Sequence, residues 1–155
     1  MEYFAVFGLE PRLSVDLSDL ERRFYSRSRE LHPDRFVRAS RDQQQEALAQ
    51  SSLLNDAYRV LKDPISRAEY ILKHHGVDSK TVPADLLEEM FELNMAREEG
   101  EDVSEQLRQM LQEIDSGLPA KFSAWDTSQN RTDLEEIRAA LNRRRYIENI
   151  VHGHV

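Results

Sequence analysis

Two stretches of apolar residues recur at helical spacing, and the chain between them is interrupted by one tripeptide, His32-Pro33-Asp34. That pattern leaves room for little besides two helices folded back on each other. Leu17, Leu20, Phe24 and Leu31 mark the first stripe and predict a helix from about Asp16 to Leu31, capped by Ser14 or Asp16. The ring of Pro33 crowds the backbone of His32 and disfavours helix there, so the segment ends at that point. Ala47, Ser51, Leu54, Tyr58 and Leu61 mark the second stripe, which stops where Lys62 meets Asp63-Pro64. Residues 34–42 are polar and basic, and the two helices can pair antiparallel across a loop that starts with His-Pro-Asp. Phe24 and Tyr58 are expected in the core.

Beyond Pro64, Ile65 to His74 reads as a shorter helix, with Gly76-Val77-Asp78-Ser79 as its stop and a linker. Pro83 and Asp85 open another helix, whose Leu86, Leu87, Met90, Phe91, Leu93 and Met95 are too many for one narrow stripe. Val103, Leu107, Met110, Leu111, Ile114 and Leu118 predict the next helix, stopped at Gly117 or shortly after. Leu134, Ile137, Leu141, Ile147 and Ile150 predict the last. Three amphipathic helices of this length suit a small bundle, and no sustained alternation or Asn-Gly turn points to a sheet. The expectation is an all-α chain: an N-terminal unit over 1–75 built on an antiparallel helical hairpin with flanking helices, a linker over 76–83, and a C-terminal three-helix bundle over 84–155.

Charge separates the two halves. Residues 1–75 balance twelve Lys/Arg against twelve Asp/Glu, while the remainder holds nine against seventeen, which accounts for the whole net charge of −8. Between positions 22 and 41 stand seven arginines (Arg22, Arg23, Arg27, Arg29, Arg35, Arg38, Arg41) opposed only by Glu30 and Asp34. From 84 to 105 nine acids face the single Arg97. The halves should therefore attract partners of opposite charge. The absence of cysteine excludes disulfides, thiolate catalysis and Cys-ligated clusters within the chain. No apolar run reaches the length of a spanning helix, and Met1-Glu2-Tyr3-Phe4 does not begin a secretory signal, so a cytoplasmic location is expected.

Four blocks in order resemble a J-domain: Tyr3-Phe4-Ala5-Val6-Phe7-Gly8-Leu9, His32-Pro33-Asp34 after a basic helix, Asn55 to Pro64, and Arg67-Ala68-Glu69-Tyr70. A lone His-Pro-Asp could be a mere helix stop; the ordered set is what carries the resemblance. No Gly/Phe-rich linker or Cys-x-x-Cys repeat follows, and an acidic helical region comes instead, an arrangement similar to the Hsc20/HscB family of iron–sulfur cluster assembly. The resemblance implies a non-enzymatic co-chaperone that stimulates a DnaK/HscA-type heat-shock ATPase and brings it an IscU-type scaffold protein. It implies that His32, Pro33, Asp34, Arg22, Arg23, Arg27, Arg29 and Arg35 face the chaperone, with Asp34 acting by contact and not as a catalytic base. It also implies a scaffold-binding patch of Leu87, Phe91, Glu92 and Met95 with Tyr146; a register shifted by one would put Met90 in place of Phe91. Glu88 and Met95 depart from the family pattern, which favours an apolar residue and an acid there.

The bland reading of that patch is that its apolar residues all pack inside the bundle; the surplus of apolar positions on the helix speaks for an interface. Two rival functions remain at this level. One is a J-protein serving a different client. The other is a small helical enzyme, since His32, His74, His75, His152 and His154 with many carboxylates could build a site. Against the enzyme, the chain has no Gly-rich phosphate loop, nucleophile motif or His-Glu-x-x-His helix. No catalytic residue, cofactor or resident metal is expected, nor any nucleic-acid or membrane partner, and His152-Gly153-His154 reads as a frayed tail.

Overall fold

The computed structural model describes residues 1–152. Its elements are α1 (Glu2–Val6), α2 (Leu17–Glu30), a 3-10 turn (Pro33–Phe36), α3 (Arg41–Leu61), α4 (Pro64–His74), α5 (Ala84–Glu98), α6 (Ser104–Ser128) and α7 (Arg131–Val151). No β-strand occurs among the described residues. The chain forms two compact units, Met1–His75 and Gly76–Val155. Gly153 and His154 of the terminal histidine segment lie outside the described residues.

In the first unit, local chemistry sets the helix ends. The Asp16 side chain accepts from the Asp19 N–H and starts α2. Ser40 and Gln43 close a reciprocal capping box at the start of α3, and Asp63 caps α4 with Pro64 in its first turn. Arg27 of α2 bonds Gln50 of α3, while Phe24 stacks on Tyr58 with ring centroids 4.1 Å apart, so sequence number falls on one helix as it rises on the other. The two are antiparallel. Phe24 and Tyr58 turn out half-buried, a stacked pair at the edge of the core, which is filled by Phe4, Leu13, Leu20, Leu54, Leu61, Ile71 and Leu72. Gly8 takes a positive φ of 67° where α1 turns back, a conformation other residues adopt only under strain.

The Arg67-Ala68-Glu69-Tyr70 block is structural. Arg67 is buried, and its guanidinium donates to the carbonyls of Leu13 (2.7 Å) and Leu61 (2.6 Å), tying the segment before α2 and the end of α3 to α4. Tyr70 stacks on Tyr3 and accepts from its backbone N–H at 3.0 Å, and burial pushes its phenol pKa up. Removing the Arg67 side chain strands two buried carbonyls, each costing about 1–3 kcal/mol. Arg67→Ala is therefore expected to lower unfolding stability by roughly 2–4 kcal/mol in a urea titration followed by circular dichroism. A loss within experimental error would show that the clamp carries no stability.

In the second unit, Leu86 and Met90 of α5 meet Val103, Leu107, Ile147 and Ile150 in one cluster. Asn130 caps α7 after Gln129 takes a left-handed φ of 56°, which folds α6 and α7 into a hairpin. The segment before α5, expected as a linker, lies against α7: Val77 is buried, and the buried Asn142 donates to the carbonyls of Ser79 and Thr81, both at 2.9 Å. One boundary differs from expectation. α6 does not stop near Gly117 but continues through Pro119 to Ser128. Pro119 removes one helical hydrogen bond, yet Leu118, Phe122 and Trp125 bury themselves by continuing the helix beside α7. Burying three large side chains is worth several kcal/mol at about 1.5–3 kcal/mol each, which exceeds the roughly 3 kcal/mol cost of an interior proline.

Candidate functional site

The turn between α2 and α3 is exposed and braced from within. His32, Pro33, Asp34 and Arg35 are all exposed. The His32 Nδ1 accepts from the Asp34 backbone N–H at 3.2 Å, and the Arg35 N–H donates to the His32 carbonyl at 3.0 Å. Because Nδ1 is an acceptor, the neutral ring carries its proton on Nε2, a donor left for a partner. Downstream, the Gln44 side chain donates to the Phe36 carbonyl at 2.9 Å, fixing the far side of the turn to α3. The Asp34 carboxylate is 89% exposed, with one oxygen 3.6 Å from the His32 Nδ1. It is a rigidly presented acid with no folding duty, next to cations.

The arginines divide into two groups that their count alone did not reveal. Arg22 and Arg23 both pair with Asp19, and hydrogen bonds from Arg23 and then Arg22 hold the Asp19 carboxyl below the usual aspartate range. Arg23 also donates to the Phe7 carbonyl at 2.8 Å, so it serves the fold. Arg27 pairs with Glu30 and bonds Gln50. Arg29, Arg35, Arg38 and Arg41 make no side-chain ion pair or hydrogen bond among the described residues. The free positive charge therefore sits at the loop end of the hairpin. Counting acids only from 22 onward left out Asp19, three residues before Arg22.

On α5 the surplus of apolar residues resolves into two faces. Leu86 and Met90 are fully buried, whereas Leu87, Phe91 and Met95 are 44, 64 and 46% exposed. The latter three recur every four residues and so line one side of the helix. Glu88 and Glu92 are exposed in the same stretch. The bland reading, in which all of these residues are core, does not hold, and the shifted register fails because Met90 points into the cluster. Tyr146 is half-buried at the edge of that cluster. Among the described residues no group of His, Asp or Glu could hold a metal ion, and no helix is long and apolar enough to cross a membrane.

Comparison with known proteins covers both units. The model of the DnaJ domain matches residues 2–70, and that of the HSCB C-terminal oligomerisation domain matches residues 82–153. The chain is 32% identical to the co-chaperone protein HscB homolog of Neisseria meningitidis over 96% of its own length and 94% of that protein. It is 33% identical to the HscB homolog of Vibrio vulnificus over 92% of this chain and 81% of the relative. The crystal structure of human co-chaperone protein HscB superposes with a TM-score of 0.70 at 26% identity, covering 99% of this chain and 80% of the human one. The chaperone HscB from Vibrio cholerae shares the fold, with a TM-score of 0.62 at 24% identity across the full length of both chains.

Proposed function

Because the chain belongs to the HscB family of J-domain co-chaperones of iron–sulfur cluster assembly, we propose that its two units divide one task. The His32-Pro33-Asp34 turn stimulates ATP hydrolysis by a DnaK/HscA-type chaperone, and the exposed face of α5 carries an IscU-type scaffold to it. The observation that bears most weight is the turn itself: a histidine, a proline and an acid held rigid by their own hydrogen bonds and left open to solvent. Such a device is suited to presenting a carboxylate and an imidazole N–H from a braced backbone to a partner surface at little entropic cost. The chain is a co-chaperone and not an enzyme; hydrolysis takes place on the partner, and Asp34 biases the partner's gating residues by contact.

Arg29 and Arg35, with Arg38 and Arg41 behind them, supply the field that draws an acidic chaperone surface toward the turn. Arg22, Arg23 and Arg27 contribute less, since Asp19 and Glu30 neutralise much of their charge. Leu87, Phe91 and Met95 supply the scaffold-binding face with Glu92 beside them and Tyr146 at its margin. The test is single-turnover ATP hydrolysis by the chaperone with and without this chain, alongside the chain alone. Stimulation with no turnover by the chain itself supports the reading; absence of stimulation refutes it.

Salt gives a second handle. Exposed charges steer encounter more than they hold a complex, so the half-saturating concentration of the co-chaperone should rise as the Debye length shrinks from about 30 to about 8 Å. Arg35→Gln should flatten that response more than Arg22→Gln, because only the Arg22 charge is already paired. Equal flattening by the two variants would show that the ion pairs on α2 do not screen the patch.

A further inference from the structure

α5, the helix that presents Leu87, Phe91 and Met95, buries only Leu86 and Met90, with Leu93 and Ala96 packed at the edge of the same cluster. Its far end is tied, since Arg97 donates to the Ile150 carbonyl of α7 at 2.9 Å. Its near end has no cap of its own. The N-cap position is Pro83, whose side chain has no oxygen to accept a first-turn N–H, and no side-chain hydrogen bond closes the helix there. What fixes that end is the segment leading into it. Val77 is buried, Val82 packs against the cluster that holds Leu86, and between them Asn142 of α7 donates to the carbonyls of Ser79 and Thr81, both at 2.9 Å. Asn142 is itself buried, and its orientation is set from one turn away: the Arg138 Nε donates to its Oδ1 at 3.0 Å, which turns the NH2 toward the segment. A buried amide is costly unless paired, and here the oxygen and both N–H bonds are used.

We infer that Asn142 is a positioning residue for scaffold docking: it latches residues 77–82 to α7 and thereby fixes the start of α5 and the exposed face which that helix presents. The inference rests on the proposed role of that face. Asn142 acts through the backbone it holds and does not meet the scaffold, because it is 6% exposed and its donors are spent on the segment. With the latch closed, α5 is anchored at both ends, and Leu87, whose N–H donates to the Pro83 carbonyl at 3.1 Å, is presented in a fixed place. With it open, the near half of α5 is held by Leu86 and Met90 alone. The scaffold must then order the helix as it binds, and affinity falls by the fraction of time the face is out of place. α6 and α7 have their own turn and their own buried side chains, so the hairpin they form does not need the latch.

The experiment compares the full chain with Asn142→Asp by native-state hydrogen exchange and by calorimetry against an IscU-type scaffold. The substitution keeps the size of the side chain and the acceptor for Arg138, so the variant should fold, with circular dichroism as the check. It replaces the donors with an acceptor that faces two carbonyls. The expected result is exchange about tenfold faster or more in the first half of α5, unchanged protection at the far end of the α6 and α7 hairpin, and a scaffold dissociation constant raised about tenfold. Asn142→Leu fills the same space with neither donor nor acceptor and should move both readouts in the same direction. Exchange that is unchanged, or raised equally throughout the unit, overturns the assignment, the second because it would make Asn142 a general support of the bundle. Faster exchange in α5 with unchanged scaffold affinity also overturns it, since the latch would then not position the docking face. If the unmodified chain does not bind the scaffold, the client reading itself falls, and the positioning role falls with it whatever the exchange shows.

Discussion

Asp34→Asn is expected to reduce stimulation of the partner ATPase to its basal rate even at saturating co-chaperone, while the melting curve and scaffold capture stay as they were. The substitution keeps the shape of the side chain and removes one charge. Nothing in the fold depends on that charge. The turn is braced through the Asp34 backbone N–H and the His32 ring, both of which survive, and the carboxylate lies almost entirely in solvent. A charge-assisted contact with a partner group is worth about 1.5–3 kcal/mol, and the group left unpaired on the partner adds its own desolvation cost. Together these amount to a loss of about a hundredfold or more in the stimulated rate. His32→Gln should behave similarly, since it removes the Nδ1 brace and the imidazole donor together. Normal stimulation by Asp34→Asn in the single-turnover assay would mean that the turn is a helix stop and nothing more.

The hairpin that presents this turn was legible because two independent signals agree there. Helical apolar spacing on both sides and a proline that ends α2 point to the same geometry, and the Ser40–Gln43 box that opens α3 in the structure adds to them. The far end of α6 was not legible because its local signals are false. Gly117 and Pro119 say stop, and only the burial of Leu118, Phe122 and Trp125 against the rest of their unit overrides them, a long-range effect that no window of sequence contains. The arginine patch was half legible: the run of arginines is plain in the sequence, but which charges are free depends on Asp19 one turn away and on the Phe7 carbonyl, sixteen positions from Arg23.

On α5 the sequence pointed to an apolar surplus without saying which residues were surplus, and the two faces now make the scaffold test decisive. Replacing Leu87, Phe91 and Met95 with alanine is expected to weaken scaffold binding by several kcal/mol if the three form the centre of an interface, since anchors of this kind often cost about 2 kcal/mol or more each. If they were core, the same change would cost about 2–5 kcal/mol of stability apiece and the unit would not survive it. Their exposure argues otherwise: surface truncations shift stability by about half a kcal/mol, and alanine suits a helix. The buried partners Leu86 and Met90 remain untouched in the variant, so the cluster with Val103, Leu107, Ile147 and Ile150 should hold α5 in place. Stimulation of the chaperone measured without scaffold should also be unaffected, because the turn lies in the other unit. The checks are binding to an IscU-type scaffold by calorimetry and melting by circular dichroism. A variant that melts as before and loses the scaffold locates the docking face on α5. One that melts as before and still binds places the docking surface elsewhere, and the choice of client weakens with it.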